Sequence, residues 1–419
     1  MTDERYAHRW EEAERVMGKE AADAMRRLYD FYGTDALTAF AHLYDPASGA
    51  FYYSNSARDN DGFLPDCEST EQIFCMLSRS CSVSDEPGGL ASVLPSAMRE
   101  KCVRFIQSLQ DPDDGYFYHP QWGKKIGSSR RGRDLTSCLG ILRRFGAAPL
   151  YPTALDRIRG DVRTEDSLKP PYLLSPEAMT AYLDSLKVNE QSHSAGHILS
   201  SQTAQIQAAG LADLVCDYLD RRQNPANGLW EPTQNYSTLS GLIKIGAFYG
   251  PVGRSMRWGG RMLDSALDVI LSRENPEVII YIFNPFGGLG VAVKTMRGEN
   301  DNAIARGETP PHDIAAAYRR IYDALPAMVD VTIEKLQKFR KPDGSYSYEQ
   351  HRSAPTTQGT PVSLGVYEGD VNGTACGVDY LLGSLFQALG IARVPLYSRQ
   401  DFMHFCDILD EKERGTSCV

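Results

Sequence analysis

Phe105-Ile106-Gln107-Ser108-Leu109-Gln110-Asp111-Pro112-Asp113-Asp114-Gly115-Tyr116-Phe117 is the stretch whose reading decides the fold. An apolar helical run meets a polar turn and ends in Gly-x-aromatic. Pro112 cannot continue a helix, so it stops the run. Gly115 supplies the positive φ that reverses the chain, and the aromatic then packs back on the helix just left. The same pattern recurs from Leu43 to Phe51 around Pro46 and Gly49, from Tyr218 to Trp230 around Pro225 and Gly228, and from Leu336 to Tyr346 around Pro342 and Gly344.

The four glycines stand at 49, 115, 228 and 344, so the intervals are 66, 113 and 116 residues. The last two are about twice 57, which predicts a degenerate unit inside each: one turn near Pro170-Pro171-Tyr172 and another at Asn284-Pro285-Phe286-Gly287. Six units of helical-hairpin length follow. After each turn a small-residue-rich helix is expected: Asp66 to Ser80, Asp134 to Phe145, Ser194 to Ala209, Ser237 to Gly250 and Asp370 to Gly390. These are apolar on most faces, as an inner ring requires. The helices before the turns, such as Ala97 to Leu109 and Met328 to Phe339, are amphipathic and suit an outer ring. One helix, Arg9 to Tyr32, is expected ahead of the first unit. No alternating strand run stands out, and Val278 to Ile282 reads equally as strand or buried helix. The expected fold is all-α, an (α/α)6 toroid forming a single domain over 1–419, with an open helical solenoid as the alternative.

Of the 419 residues 42% are hydrophobic and 23% charged, enough apolar material for a large core. The net charge of −10 disfavours nucleic-acid and anionic-membrane partners. No apolar run opens the sequence and none is long enough to span a bilayer, so a cytoplasmic protein is expected. The nine cysteines lack a CxxC pair and read as reduced core thiols, Cys418 standing outside any prenylation box.

Phe105 to Phe117 and Tyr218 to Trp230 resemble the Gln-to-Trp repeat of the terpenoid cyclase and protein prenyltransferase toroids, with Gln110 and Gln223 in the Gln place. The resemblance implies the toroid. That architecture also carries glycoside hydrolases and polysaccharide lyases, so fold does not decide function. Asp66-Cys67-Glu68-Ser69-Thr70 resembles the acid motif of class II terpenoid cyclases, without that motif's Asp-rich core. Asp370, Cys376 and His404 have the residue types of the prenyltransferase zinc site but not its Asp-x-Cys spacing.

In a toroid the inner-helix starts meet at one end of a central cavity. That convergence nominates Asp66, Glu68 and Glu71; Asp134 and Thr136; His193 and His197; Asn235, Tyr236 and Thr238; and Asp370, Asn372 and Thr374. The plain alternative for Asp, Asn and Thr is helix capping. Asp66 and Glu68 lie close enough to raise each other's pKa, which suits a general acid; a solvated acidic helix start is the alternative. Asp59-Asn60-Asp61-Gly62 has calcium-loop character without the later Glu. Arg130, Arg131 and Arg133, beside Trp122, form a clamp for carboxylate or phosphate, or a basic loop paired with Asp134. His193 and His197 share a helical face; with no third ligand evident they read as acid, base or sugar-binding groups, or as structural histidines, rather than as zinc ligands.

The expected function is therefore a glycan-processing enzyme, a glycoside hydrolase or a lyase acting on a short, uronic-acid-containing oligosaccharide. Asp66, Glu68, Asp134, His197 and Tyr236 are the catalytic candidates. Arg130, Arg131, Arg133, His193, Trp122, Asn235, Asp370 and Asn372 are the substrate-binding ones. No metal or cofactor is expected. A terpenoid cyclase or prenyl-diphosphate enzyme and a non-enzymatic binding toroid are the alternatives, and the oligomeric state is open.

Overall fold

A computed structural model describes residues 6–85 and 88–416. The protein is all-α: the described strands are only two-residue hairpins, Tyr44–Asp45 with Ala50–Phe51 and Thr356–Thr357 with Thr360–Pro361. None of its described helices is long and apolar enough to cross a membrane. The eight described cysteines are free thiols, seven of them buried; Cys418 lies outside the described residues.

Six helices carry the architecture. Cys67–Ser80 packs on Ser128–Arg144, which packs on Ser192–Ser201, which packs on Tyr236–Val252. Tyr236–Val252 packs on Ile280–Ala305, which packs on Leu381–Leu389 and the π-helical turn Ala375–Tyr380 before it. That turn, entered from Val371–Thr374, packs back on Cys67–Ser80, so the order of neighbours returns to its start. Amphipathic helices lie outside this cycle: Ser96–Ser108 against Ser128–Arg144, Gly259–Leu271 against Ile280–Ala305, and Ile314–Leu336 against both Gly259–Leu271 and Lys19–Tyr32.

Small residues allow the six to approach closely. A Cβ at Gly132 would meet the Ser201 carbonyl, one at Gly241 the Ser192 side chain and one at Gly287 the Ile243 side chain. Side-chain caps start three of the segments: Asp66 accepts from Ser69 N at 2.9 Å, Asn235 from Thr238 N at 3.0 Å and Asp370 from Gly373 N at 2.6 Å.

The four turn glycines all have positive φ: Gly49 70°, Gly115 74°, Gly228 73° and Gly344 79°. Each sits against the beginning of the next unit's outer segment. Gly49 lies on Met98 and Cys102, Gly115 on Pro152 to Ala154, and Gly228 on Trp258 and Met262. Gly344, in the last unit, lies on Asp35, at the start of the Asp35–His42 helix in the first. The two glutamines brace their turns identically. Gln110 bonds both the N–H and the C=O of Tyr151, at 2.9 and 2.8 Å, and Gln223 those of Arg257, at 3.2 and 2.8 Å.

Three expectations need correction. Asn284 to Gly287 is no turn but part of the Ile280–Ala305 helix, because Gly287 makes room for Ile243 rather than reversing the chain. The chain enters that helix through 272–279, and in the other degenerate unit it reverses at Lys187, with φ 49° and no glycine. Two helices, Ala7–Met17 and Lys19–Tyr32, stand ahead of the first unit instead of one, since Gly18 with φ 87° breaks the first long run.

Alanine at 344 must adopt a left-handed conformation and displace Asp35. Gly344→Ala is expected to lower stability by about 2–4 kcal/mol in denaturant unfolding. Gly62→Ala, where a Cβ meets nothing within 4 Å, is expected to leave the midpoint nearly unchanged. Equal midpoints for the two variants would refute this role for the turn contact.

Candidate functional site

Five of these helices and the segment leading into the sixth line a cavity of about 580 Å³: Gln72, Arg133, His197, Lys244 and Phe283 from the five, and Asn372, Cys376 and Tyr380 from 371–380. Tyr348 and the hairpin residues Thr356, Thr357 and Gln358 complete the wall. Its volume falls within the roughly 300–1,000 Å³ of small-molecule sites. Gln358 combines two features of a binding position. Its φ of 45° is one that non-glycine residues rarely adopt, and its buried side-chain oxygen has no hydrogen-bond partner.

Behind one wall lies a buried charge network. Arg130, with no exposed surface, reaches Glu68 at 3.1 Å, Asp134 at 2.8 Å and Asp66 at 3.5 Å. Its guanidinium lies 4.3 Å from the centre of the Trp122 ring, and its Nη1 donates to Thr357 Oγ1 at 2.9 Å, tying the network to the hairpin. Arg133 pairs with the other oxygen of Glu68. Burial raises the Glu68 pKa, but Arg133 and Arg130 outweigh it and hold the carboxyl below its usual range. Glu68 is therefore an ionised anchor. Asp134 is pushed up to about 6 by burial, against the pull of Arg130.

The opposite side is cationic or neutral. Burial, with Arg133 and Lys244 nearby, pushes His197 down to about 3; burial and Lys244 push His193 down to about 4. Both imidazoles are neutral at pH 7, and neither has a hydrogen-bond partner among the described residues. Burial and Arg133 lower Lys244 to about 8, and its amine has no ion pair among those residues. Asn372 Oδ1 accepts from Gln72 Nε2 at 3.2 Å and from the Cys376 thiol at 3.4 Å. Among the described residues no Asp or Glu lines the cavity. Among the described residues no group of three or more His, Cys, Asp or Glu is arranged to hold a metal ion.

Of the residues nominated by sequence, Arg133, His193, His197 and Asn372 reach the cavity together. Glu68, Asp66, Asp134, Arg130 and Trp122 form the network behind it. Asp66 caps its helix and accepts from Ser69 Oγ at 2.7 Å. Asp370 is likewise a cap, and burial pushes it up to about 6 although it also accepts from Tyr348 N at 2.7 Å. The remaining three lie elsewhere. Asn235 belongs to a capping box, the Tyr236 hydroxyl donates to the Glu274 carbonyl at 2.8 Å, and Arg131 lies over Tyr116 and Tyr118. Sequence reasoning missed Lys244, Gln72, Cys376, Tyr348 and Gln358. Lys244 did leave a signal, as the only charged residue of the Tyr236–Val252 helix.

Comparison with protein-family models and with curated proteins returns no match to this chain.

Removing the charge of Glu68 leaves two buried guanidiniums without their shared carboxylate. Glu68→Gln is expected to cost about 3–5 kcal/mol in urea unfolding. A loss under about 1 kcal/mol would show that the network does not depend on Glu68.

Proposed function

We propose that the chain is a single-domain (α/α)6 toroid and that its cavity is the active site of a lyase acting on a short uronic-acid-containing oligosaccharide. The toroid reading is supported by the closed order of six helical neighbours and by the seat of Gly344 on Asp35. The lyase reading is carried by one observation: the cavity wall presents Arg133, Lys244 and two neutral imidazoles, and no carboxylate.

A hydrolase working through a carboxylate pair needs both carboxyls facing the sugar. Here Glu68 is held between arginines and Asp66 by its helix start. A cyclase must stabilise a carbocation, which a wall bearing Arg133 and Lys244 opposes. β-Elimination from a uronate asks for what the wall offers. Arg133 neutralises the carboxylate and so acidifies the adjacent C–H. His197, unprotonated, accepts that proton. The C–O bond to the leaving sugar breaks as the C=C bond forms, and the leaving oxygen takes a proton from Tyr348, whose hydroxyl burial keeps protonated. Bound carboxylate also offsets the positive field that depresses His197, so the base gains proton affinity when substrate is present.

Uronate oligosaccharides incubated with the protein are expected to give the ultraviolet absorbance of an unsaturated uronate. Arg133→Gln and His197→Ala are each expected to lower kcat/KM on the order of 100-fold or more. Tyr236→Phe is expected to change it little. New reducing ends without unsaturation would overturn the lyase reading.

The anion affinity carries its own pH signature. Lys244 is cationic below about 8 and loses its charge as pH rises through that value. Binding of glucuronate, followed calorimetrically, is expected to weaken across that window in the wild type. Lys244→Met is expected to bind more weakly at pH 7 and to lack this limb; the same limb in both proteins would remove Lys244 from the anion site.

A further inference from the structure

We propose that the Lys244 amine forms an imine with a 2-oxo acid held in the cavity, with the acid's carboxylate on Arg133. The inference stands on the cavity itself and not on the elimination chemistry above. Lys244 and Arg133 line the same cavity, from Tyr236–Val252 and Ser128–Arg144. Arg133 gives one nitrogen, Nη1, to Glu68 and has no partner for Nη2 among the described residues. That leaves a donor for an incoming carboxylate. Lys244 engages no carboxylate and no carbonyl, in contrast to the partly buried Lys335, Lys341 and Lys412, each of which donates to a backbone carbonyl.

The root of Lys244 is closely packed as well. A Cβ at Gly196 would come within 2.9 Å of Lys244 Cβ, so glycine is what lets the Ser192–Ser201 helix lie on the root of this side chain. The side chain lines the cavity. Its lowered pKa, about 8, leaves roughly a tenth of it as free amine at pH 7, which is the nucleophilic form.

The chemistry balances without a further reactant. The amine nitrogen attacks the carbonyl carbon and a C–N bond forms. The carbonyl oxygen takes up two protons and leaves as water, one of them coming from the amine nitrogen and one from solvent or a neighbouring donor. The C=N bond remains on the protein as a protonated imine, and nothing is oxidised or reduced.

The test is reductive trapping. The full-length protein is incubated with pyruvate at pH 8 and treated with sodium cyanoborohydride, then analysed by intact mass and peptide mapping. The expected result is a single reduced pyruvyl group on the peptide containing Lys244, at a rate that rises as pH passes through 8. Arg133→Gln is expected to slow labelling about tenfold, and acetone, a ketone without the carboxylate, is expected to label far more slowly than pyruvate. Site mapping on the wild type needs no variant; Lys244→Arg, checked for folding by circular dichroism, is expected to abolish the adduct. Labelling spread over surface lysines, or unchanged in Lys244→Arg, would overturn the proposal. Equal labelling by acetone and pyruvate would overturn the assignment to an oxo acid. The elimination assay is read out separately, so either result can fail without the other.

Discussion

The last unit must meet the first. Tyr236–Val252 and Leu381–Leu389 carry too few polar residues to face water, so a row of helices that includes them has ends that need cover. Here the two ends cover each other. Val371 N donates to the Tyr53 carbonyl at 2.9 Å, Ser54 bridges to Asp370, and Gly344 rests on Asp35. The units that meet are near copies. In the first, Phe51 N donates to Thr70 Oγ1 and Asp66 N to the Phe51 carbonyl; in the last, Tyr346 N donates to Thr374 Oγ1 and Asp370 N to the Tyr346 carbonyl. Asp66 and Asp370 are thus the same structural residue twice over, each capping the start of its helical segment. That equivalence explains why a capping carboxylate appears at both positions, and it assigns their acidity to architecture before chemistry.

The charges behind the cavity wall set the field inside it. Glu68 serves two arginines at once, and the remaining charge of Arg130 is taken by Asp134 and Asp66. Among the described residues none of these carboxylates lines the cavity, while Arg133 and Lys244 do. Low dielectric strengthens this asymmetry, because a cation that water cannot screen acts on all its neighbours. The imidazoles are depressed first by burial and further by these cations, and a bound anion would offset only the second part.

Much of the fold was legible because its signals are local stereochemistry. Pro112 and Gly115, or Pro342 and Gly344, report a reversal from residue type alone. The two degenerate units were misplaced for the same reason in reverse: Lys187 takes a positive φ without glycine, while Gly287 serves close approach between helices. At the site, His193, His197, Arg133 and Asn372 were legible as residues near inner-helix starts. The cap at Asp66 was among the alternatives, but the role of Glu68 was not, because its partners lie more than sixty residues away, Arg130 Nη1 meeting Glu68 at a separation of 62. Proximity of two carboxylates in sequence suggests mutual repulsion; arginines brought in by a neighbouring helix reverse the sign for Glu68.

Lys244 was missed because it sits two turns inside its helix, where a search along helix starts does not look. A single charge in an otherwise uncharged, largely buried segment has few structural reasons to exist. Burying an ammonium is costly unless a carboxylate or several hydrogen bonds accompany it, and here neither does. A leucine or methionine would fill the same space and let the two helices pack as closely on Gly196. The residue that stands there instead keeps an amine beside Arg133 and lowers the proton affinity of two imidazoles. A group of that kind is best understood through what it does to a bound molecule.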